Sequence, residues 1–209
     1  MSEPLIRQER HRAFLNDYYG WARGTYDWTR RYYLLGRDAV LDEIARDDEW
    51  ETLVEIGPGT GRNLARLHRR RPEARYAGVD ACDAMLEVAR ERCPWARLEF
   101  GFAEDVDLVS LFGQRPDRIM LSYCLSMVED PETVLDNLRG QLSRSGLLVL
   151  VDFADAAGLP GPLPHALHRW LRGFRVAPVD TTWLRDEGAH VRFGRGRYWF
   201  SATMERQVR

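Results

Sequence analysis

The stretch VEIGPGTGRN, Val54 to Asn63, decides how the rest of this chain is read. It closes a strand-like apolar run, TLVEIG, and opens a helical pattern, GRNLARLHRRRP, in which Leu64 and Leu67 share a face before Pro72 stops it. Gly57, Gly59 and Gly61 stand between the two. Glycines at such a turn let the backbone bend sharply and approach a ligand closely. A glycine-rich turn alone is a weak sign and fits a dinucleotide site as well. Two residues argue against a dinucleotide. Arg62 replaces the third glycine of G-x-G-x-x-G, and Glu55 sits two residues before the first glycine, at the strand end. A carboxylate there repels a pyrophosphate and suits a cationic ligand.

Outward from this turn, strand-like and helix-like runs alternate. RYAGVD reads as a second strand and DAMLEVARERCP as a second helix with Met85, Leu86 and Ala89 on one face. ARLEFGFAED reads as a third strand, DRIMLSYCLSM as a fourth, PETVLDNLRGQL as a helix and GLLVLVDF as a fifth strand. Such alternation predicts a doubly wound α/β fold with a mostly parallel sheet covered on both faces. HVRFGRGRYWFSATME predicts a C-terminal antiparallel hairpin turning at Gly194 to Gly196, for seven strands in all. The Gly/Pro-rich segment Ala154 to Pro164 reads as a lid or access loop after the fifth strand. We expect one domain over 1–209, with an N-terminal helical cap over 1–48 and the sheet and hairpin over 49–209.

Composition narrows the function. No apolar run approaches the ~20 residues of a membrane span, and the start lacks the apolar core of a secretory signal. Cys82, Cys93 and Cys124 are scattered, which fits reduced thiols in a cytoplasm rather than a disulfide framework or zinc site. All thirty basic residues are arginine, which excludes a lysine nucleophile or Schiff base. The net charge of −2 is uneven: residues 1–37 hold seven Arg and four acids, and residues 160–209 hold nine Arg and four acids. The ends are therefore +3 and +5 and the middle −10, so basic ends can approach an anionic surface; uneven but solvated faces explain the same counts.

The glycine turn with Glu55 resembles the first motif of the class I S-adenosylmethionine-dependent methyltransferases. Asp80 ends the second strand 19 residues after Gly61, where that family uses a carboxylate on the ribose hydroxyls; a helix N-cap is the plainer alternative. The resemblance implies cofactor contacts from Arg37, Glu55, Gly57, Pro58, Gly59, Gly61, Asp80, Ala81, Met85, Ala103, Glu104 and Ser122. Core packing is an equal reading for Met85. The fourth strand ends in SYCLSM, without the N-P-P-Y or D-P-P-Y of adenine-amine enzymes, so a nucleic-acid substrate is not expected. No proline precedes Cys124, which reads as a small buried residue rather than a cytosine-type nucleophile.

The segment YDWTRRYYLLGRD, Tyr26 to Asp38, together with SYCLSM and LVDF, resembles the bacterial betaine-lipid N-methyltransferases. Tyr26, Asp27, Thr29, Arg30, Tyr32, Tyr33, Leu34, Leu35, Gly36, Arg37 and Asp38 match the pattern of that family, and the resemblance runs from about residue 14 to the end. It implies three N-methylations of diacylglyceryl-homoserine, in the cytoplasm at the inner membrane face, alongside a homoserine-lipid synthase. Tyr26, Tyr33 and Tyr123 are the candidate catalytic residues, because aromatic faces hold ammonium groups. Arg30 and Arg37 offer forks for carboxylates. Tyr26, Arg30 and Tyr33 lie on one helical face, and Gly36 is expected to break that helix. Packing against the sheet explains Trp28, Tyr32 and Leu35. No dedicated base is evident; Asp152 and His165 are the weak candidates. His165 and His168 lack a third ligand, so no metal site is expected. Two alternatives stay open: a soluble small-molecule or quinone methyltransferase, and a non-catalytic cofactor-binding adapter.

Overall fold

A computed structural model describes residues 33–174 and 176–206. The expected helical face of Tyr26 and Arg30 lies outside them, as do Asp27, Trp28, Thr29 and Tyr32. The sheet is seven-stranded: β1 (Thr52–Ile56), β2 (Arg75–Asp80), β3 (Arg97–Phe100), β4 (Arg118–Ser122), β5 (Leu147–Phe153), β6 (His190–Phe193) and β7 (Trp199–Glu205). Their order is β3-β2-β1-β4-β5-β7-β6. The first five are parallel, and β7 enters antiparallel between β5 and β6, pairing Val151 with Ser201 and Arg192 with Ser201. The doubly wound sheet and C-terminal hairpin are as the alternation predicts. The order reverses between β1 and β4, and ligands bind where such a reversal opens a crevice at the carboxyl ends of the strands.

Helices α1 (Arg37–Arg46), α2 (Arg62–His68), α3 (Asp83–Arg92), α4 (Leu108–Phe112), α5 (Pro131–Gln141), α6 (Leu163–Arg172) and α7 (Thr181–Asp186) cover the sheet. β1 is buried along its length, so its alternate residues feed two cores. Val54 and Ile56 pack with Leu121, Leu135 and Phe200 on one face. Leu53 packs with Leu41, Leu64, Met120 and Phe153 on the other. Glu55 follows Leu53 by two, so the strand period sends its carboxylate to the α1–α2 face.

Several boundaries differ from the sequence reading. β3 ends at Phe100, and Gly101 to Asp105 form a loop rather than more strand. β4 ends at Ser122, because Tyr123 takes a left-handed φ of 54° that no strand continues through. A short 3₁₀ turn follows at Leu125–Met127. The expected lid Ala154 to Pro164 is a clamped connector that runs into α6: Ala156 and Gly158 donate to the carbonyls of Arg197 and Gly196, and Asp155 pairs with Arg197. α4 and α7, of five and six residues, carry too few for their apolar spacing to stand out from the sequence, whereas the ten-residue α6 follows the Gly/Pro-rich connector and is not read as a helix from the sequence.

Gly36 sits where the expected helix break falls. Its φ of 77° leads into α1, and a Cβ there would lie 2.4 Å from the Trp199 ring. Only glycine satisfies both the angle and the approach.

Candidate active site

Gly57, Gly59 and Gly61 all hold positive φ, at 69°, 55° and 75°. Gly57 donates to Val79 at 2.8 Å and Gly61 to Pro58 at 2.9 Å, closing the turn. A Cβ at Gly57 would lie 2.8 Å from the Cys124 sulfur, so the glycine lets the β1 and β4 loops meet. Pro58 is buried against Gly78, where a Cβ would come within 2.8 Å of its ring.

Asp80 ends β2 beside this turn. Its Oδ2 accepts from Gly59 N at 2.8 Å and its Oδ1 from Cys82 N at 2.9 Å. The N-cap alternative does not hold: Cys82 is the cap of α3, and the carboxylate reaches across to the glycine turn. Each carboxylate oxygen keeps a further acceptor site for a ribose hydroxyl. Burial pushes Asp80 up to about 6, opposed by the two backbone donors. Ala81 is half-buried, and Met85 is buried on the first turn of α3, a position open to both the adenine and the core reading. Ala103 is half-buried and Glu104 exposed in the loop after β3.

Glu55 is fully buried. Asn63 of α2 donates from Nδ2 to its Oε1 at 2.6 Å, and Oε2 is buried without a hydrogen-bond partner, as is Asn63 Oδ1. Burial holds the Glu55 carboxyl up to about 8, against the Asn63 bond and the nearby Arg37 charge. Arg37 is buried at the start of α1. The Ser122 hydroxyl at the end of β4 is also buried without a partner. Unsatisfied buried polar atoms are uncommon in a native fold, and these three belong to β1, the start of α2 and the end of β4. Asn63 is not among the site positions expected from the sequence, although it closes the glycine-turn stretch Val54 to Asn63.

The end of the Tyr26 to Asp38 segment docks at the same sheet edge. Tyr123 donates its hydroxyl to Leu35 O, and Tyr198 donates to Tyr33 O at 3.0 Å. Tyr123 stacks edge-on against Phe153, and Tyr33 against Trp170 of α6 at 5.3 Å. Tyr198 and Trp199 carry no motif; only the return of β7 beside β5 brings them to Tyr33 and Gly36. Asp38 instead leaves the crevice and pairs with Arg62 at 2.8 Å.

The weak base candidates fare differently. Asp152 is buried, and its oxygens accept Ser126 N at 3.0 Å and Phe153 N at 2.8 Å, which ties the loop after β4 to β5. His165 is exposed on α6, and His168 is half-buried with Nε2 unpartnered. Burial pushes the Cys124 thiol well above its ordinary range, which disfavours a thiolate.

A family model described as a methyltransferase domain matches residues 27–203. A trans-aconitate 2-methyltransferase of Variovorax paradoxus is 35% identical over 148 residues, covering 71% of this chain and 50% of that protein. One from Methylobacterium radiotolerans is 32% identical over 143 residues, covering 68% and 50%. The chain thus spans about half the length of these curated relatives. Among solved structures, magnesium protoporphyrin IX methyltransferase from Synechocystis PCC 6803, with S-adenosylhomocysteine bound, aligns with a TM-score of 0.66 at 15% identity. That alignment covers 93% of this chain and 99% of the other, a likeness of fold.

Proposed function

This chain belongs to the methyltransferase-domain family and is an S-adenosylmethionine-dependent enzyme, and from that premise we propose that it methylates the amine of diacylglyceryl-homoserine. The observation carrying this reading is the seating of Tyr33 to Gly36, the end of the betaine-lipid pattern, on Tyr123, Tyr198 and Trp199 beside the cofactor crevice. Three of the six exposed large apolar side chains among the described residues, Leu35, Leu163 and Trp170, belong to this segment and to α6. Tyr33 and Trp170 join the two elements. An acceptor with a polar head and an apolar body suits such a rim better than a wholly polar one. The proposal places the enzyme peripherally on the anionic inner face, and no helix among the described residues is long and apolar enough to cross a membrane.

The crevice residues fit the cofactor. Asp80 would receive the ribose, the glycine turn would allow close backbone approach, and Glu55 and Arg37 would hold the charged amino-acid end. The bound cofactor supplies an electrophilic methyl group on a sulfonium, open to in-line displacement by a neutral amine. The protein's part is alignment and exclusion of water. Tyr33, with Tyr26 beyond the described residues, would present ring faces to the ammonium product. Tyr123, whose hydroxyl donates to Leu35 O, would form a wall of the acceptor site. Arg37 is a candidate for the carboxylate of the cofactor or the acceptor.

A second reading rests on the curated relatives. Their named substrate, trans-aconitate, is a small polycarboxylate, and a soluble carboxylate-bearing acceptor would use the same arginine. Both readings are tested by supplying purified enzyme and labelled cofactor with diacylglyceryl-homoserine in mixed micelles or with trans-aconitate. Label in mono-, di- and trimethylated lipid supports the first. Label only in a methyl ester of the acid replaces it with the second.

A further inference from the structure

We propose that Glu55 and Asn63 form one acceptor pair, which holds a proton in the unliganded protein and exchanges it for the ammonium at the amino-acid end of the cofactor. The pair already shares the 2.6 Å bond from Asn63 Nδ2 to Glu55 Oε1. What remains on both residues is a buried acceptor, Glu55 Oε2 and Asn63 Oδ1, each without a partner. With an ionised Glu55 the two residues hold more acceptors than donors in a site closed to water, which is costly. A single proton on Oε2 removes the mismatch, because a carboxylic acid and a carboxamide complement each other donor for acceptor.

The surroundings agree. Arg37 from α1 and Arg62 from α2 favour ionisation, while Asp80 from β2 opposes it. The Cys93 and Cys124 thiols also face Glu55, and both are held protonated by burial. Burial outweighs the two arginines and leaves Glu55 up to about 8, so the proton is in place at neutral pH.

An ammonium offers N–H donors to both open acceptors and brings the positive charge that an ionised carboxylate requires. When it enters, the Glu55 O–H bond breaks and the proton passes to solvent; no other covalent bond changes. The inference rests on the cofactor assignment and names Asn63 as a recognition residue for it.

The experiment is calorimetric titration of the full-length protein at pH 7 in buffers of different ionisation enthalpy, which counts protons released. S-adenosylhomocysteine carries the ammonium, and 5′-methylthioadenosine lacks the whole amino-acid end. We expect release of about one proton with the first and none with the second. Glu55→Gln supplies a permanent donor in place of the proton; it should bind S-adenosylhomocysteine roughly 10–150-fold more weakly and release none. Binding of S-adenosylhomocysteine without proton release overturns the proposal, as does equal release with both ligands. Should Glu55→Gln not fold, the two ligands on the parent protein decide the matter. Absence of binding by either ligand overturns the cofactor assignment and the pair's role with it.

Discussion

Asp80 accepts the N–H of Gly59 at 2.8 Å, so the last residue of β2 holds the glycine turn that follows β1. The two strands are neighbours in register, Ile56 beside Val79, and their ends open on one crevice. A residue expected to serve the ribose therefore also shapes the loop that the ligand approaches.

Asp80→Ala should lose both duties. Hydrogen bonds to a charged acceptor contribute ~1.5–3 kcal/mol each, so cofactor affinity should fall at least about tenfold in titration calorimetry. Because burial raises Asp80 to about 6, its carboxylate is protonated below that pH, and wild-type affinity should weaken as pH falls through about 6. Unchanged affinity in a folded Asp80→Ala protein would remove Asp80 from the site.

Two buried acids and the half-buried Asp80 also set the pH dependence of stability. Glu55 is raised to about 8 and Asp80 and Asp152 to about 6, all above their ordinary values. In these windows the native protein keeps protons that the unfolded chain has released, so stability of the unliganded protein falls as pH rises. The two aspartates act between about 4 and 6, and Glu55 continues the decline to about 8. Melting temperature against pH should therefore drop from pH 6 to 8 in the wild type and stay nearly level in Glu55→Gln. Equal slopes would assign the decline to another group.

The pins on the Tyr33–Gly36 segment can be removed singly. Tyr123→Phe deletes the hydroxyl bound to Leu35 O and should cost ~0.5–1.5 kcal/mol of stability. Tyr33→Phe keeps the ring and the backbone carbonyl that Tyr198 uses, so its effect should be mild. Tyr33→Leu removes the ring face and the Trp170 contact and should slow turnover more than it lowers the melting temperature. Arg37→Lys should also slow turnover, since an ammonium cannot reproduce a guanidinium fork. Full activity in both Tyr33→Leu and Arg37→Lys would leave the segment a packing element only.

The exposed side chains of α6 can be tested apart from chemistry. Acids are absent from Ala156 to Val179, and Arg169 and Arg172 lie in the last turn of α6. Binding to anionic vesicles should weaken with salt, as exposed charges are screened within ~8–10 Å. Leu163→Ser combined with Trp170→Ser should reduce vesicle sedimentation while leaving S-adenosylhomocysteine affinity unchanged. Equal partitioning onto neutral and anionic vesicles would contradict the electrostatic part of this account.

What the sequence determined by itself is the framework and the glycine turn with its flanking acids. Strand and helix periods differ, 2 against about 3.6, so the alternation from Thr52 to Phe153 is legible in one dimension. Gly57, Gly59 and Gly61 are legible because a positive φ is open to few other residues. Glu55 and Asp80 stand out as acids at the ends of apolar strands. Only the tertiary structure decided who their partners are. Asn63 looks like any early helical residue until α2 is laid over β1. Tyr198 and Trp199 lie some 165 residues from Tyr33 along the chain and reach it only because β7 inserts beside β5. Local spacing records the period of an element and the angle of a turn. Contacts between elements arise from packing two cores on one sheet, and no window of sequence contains them.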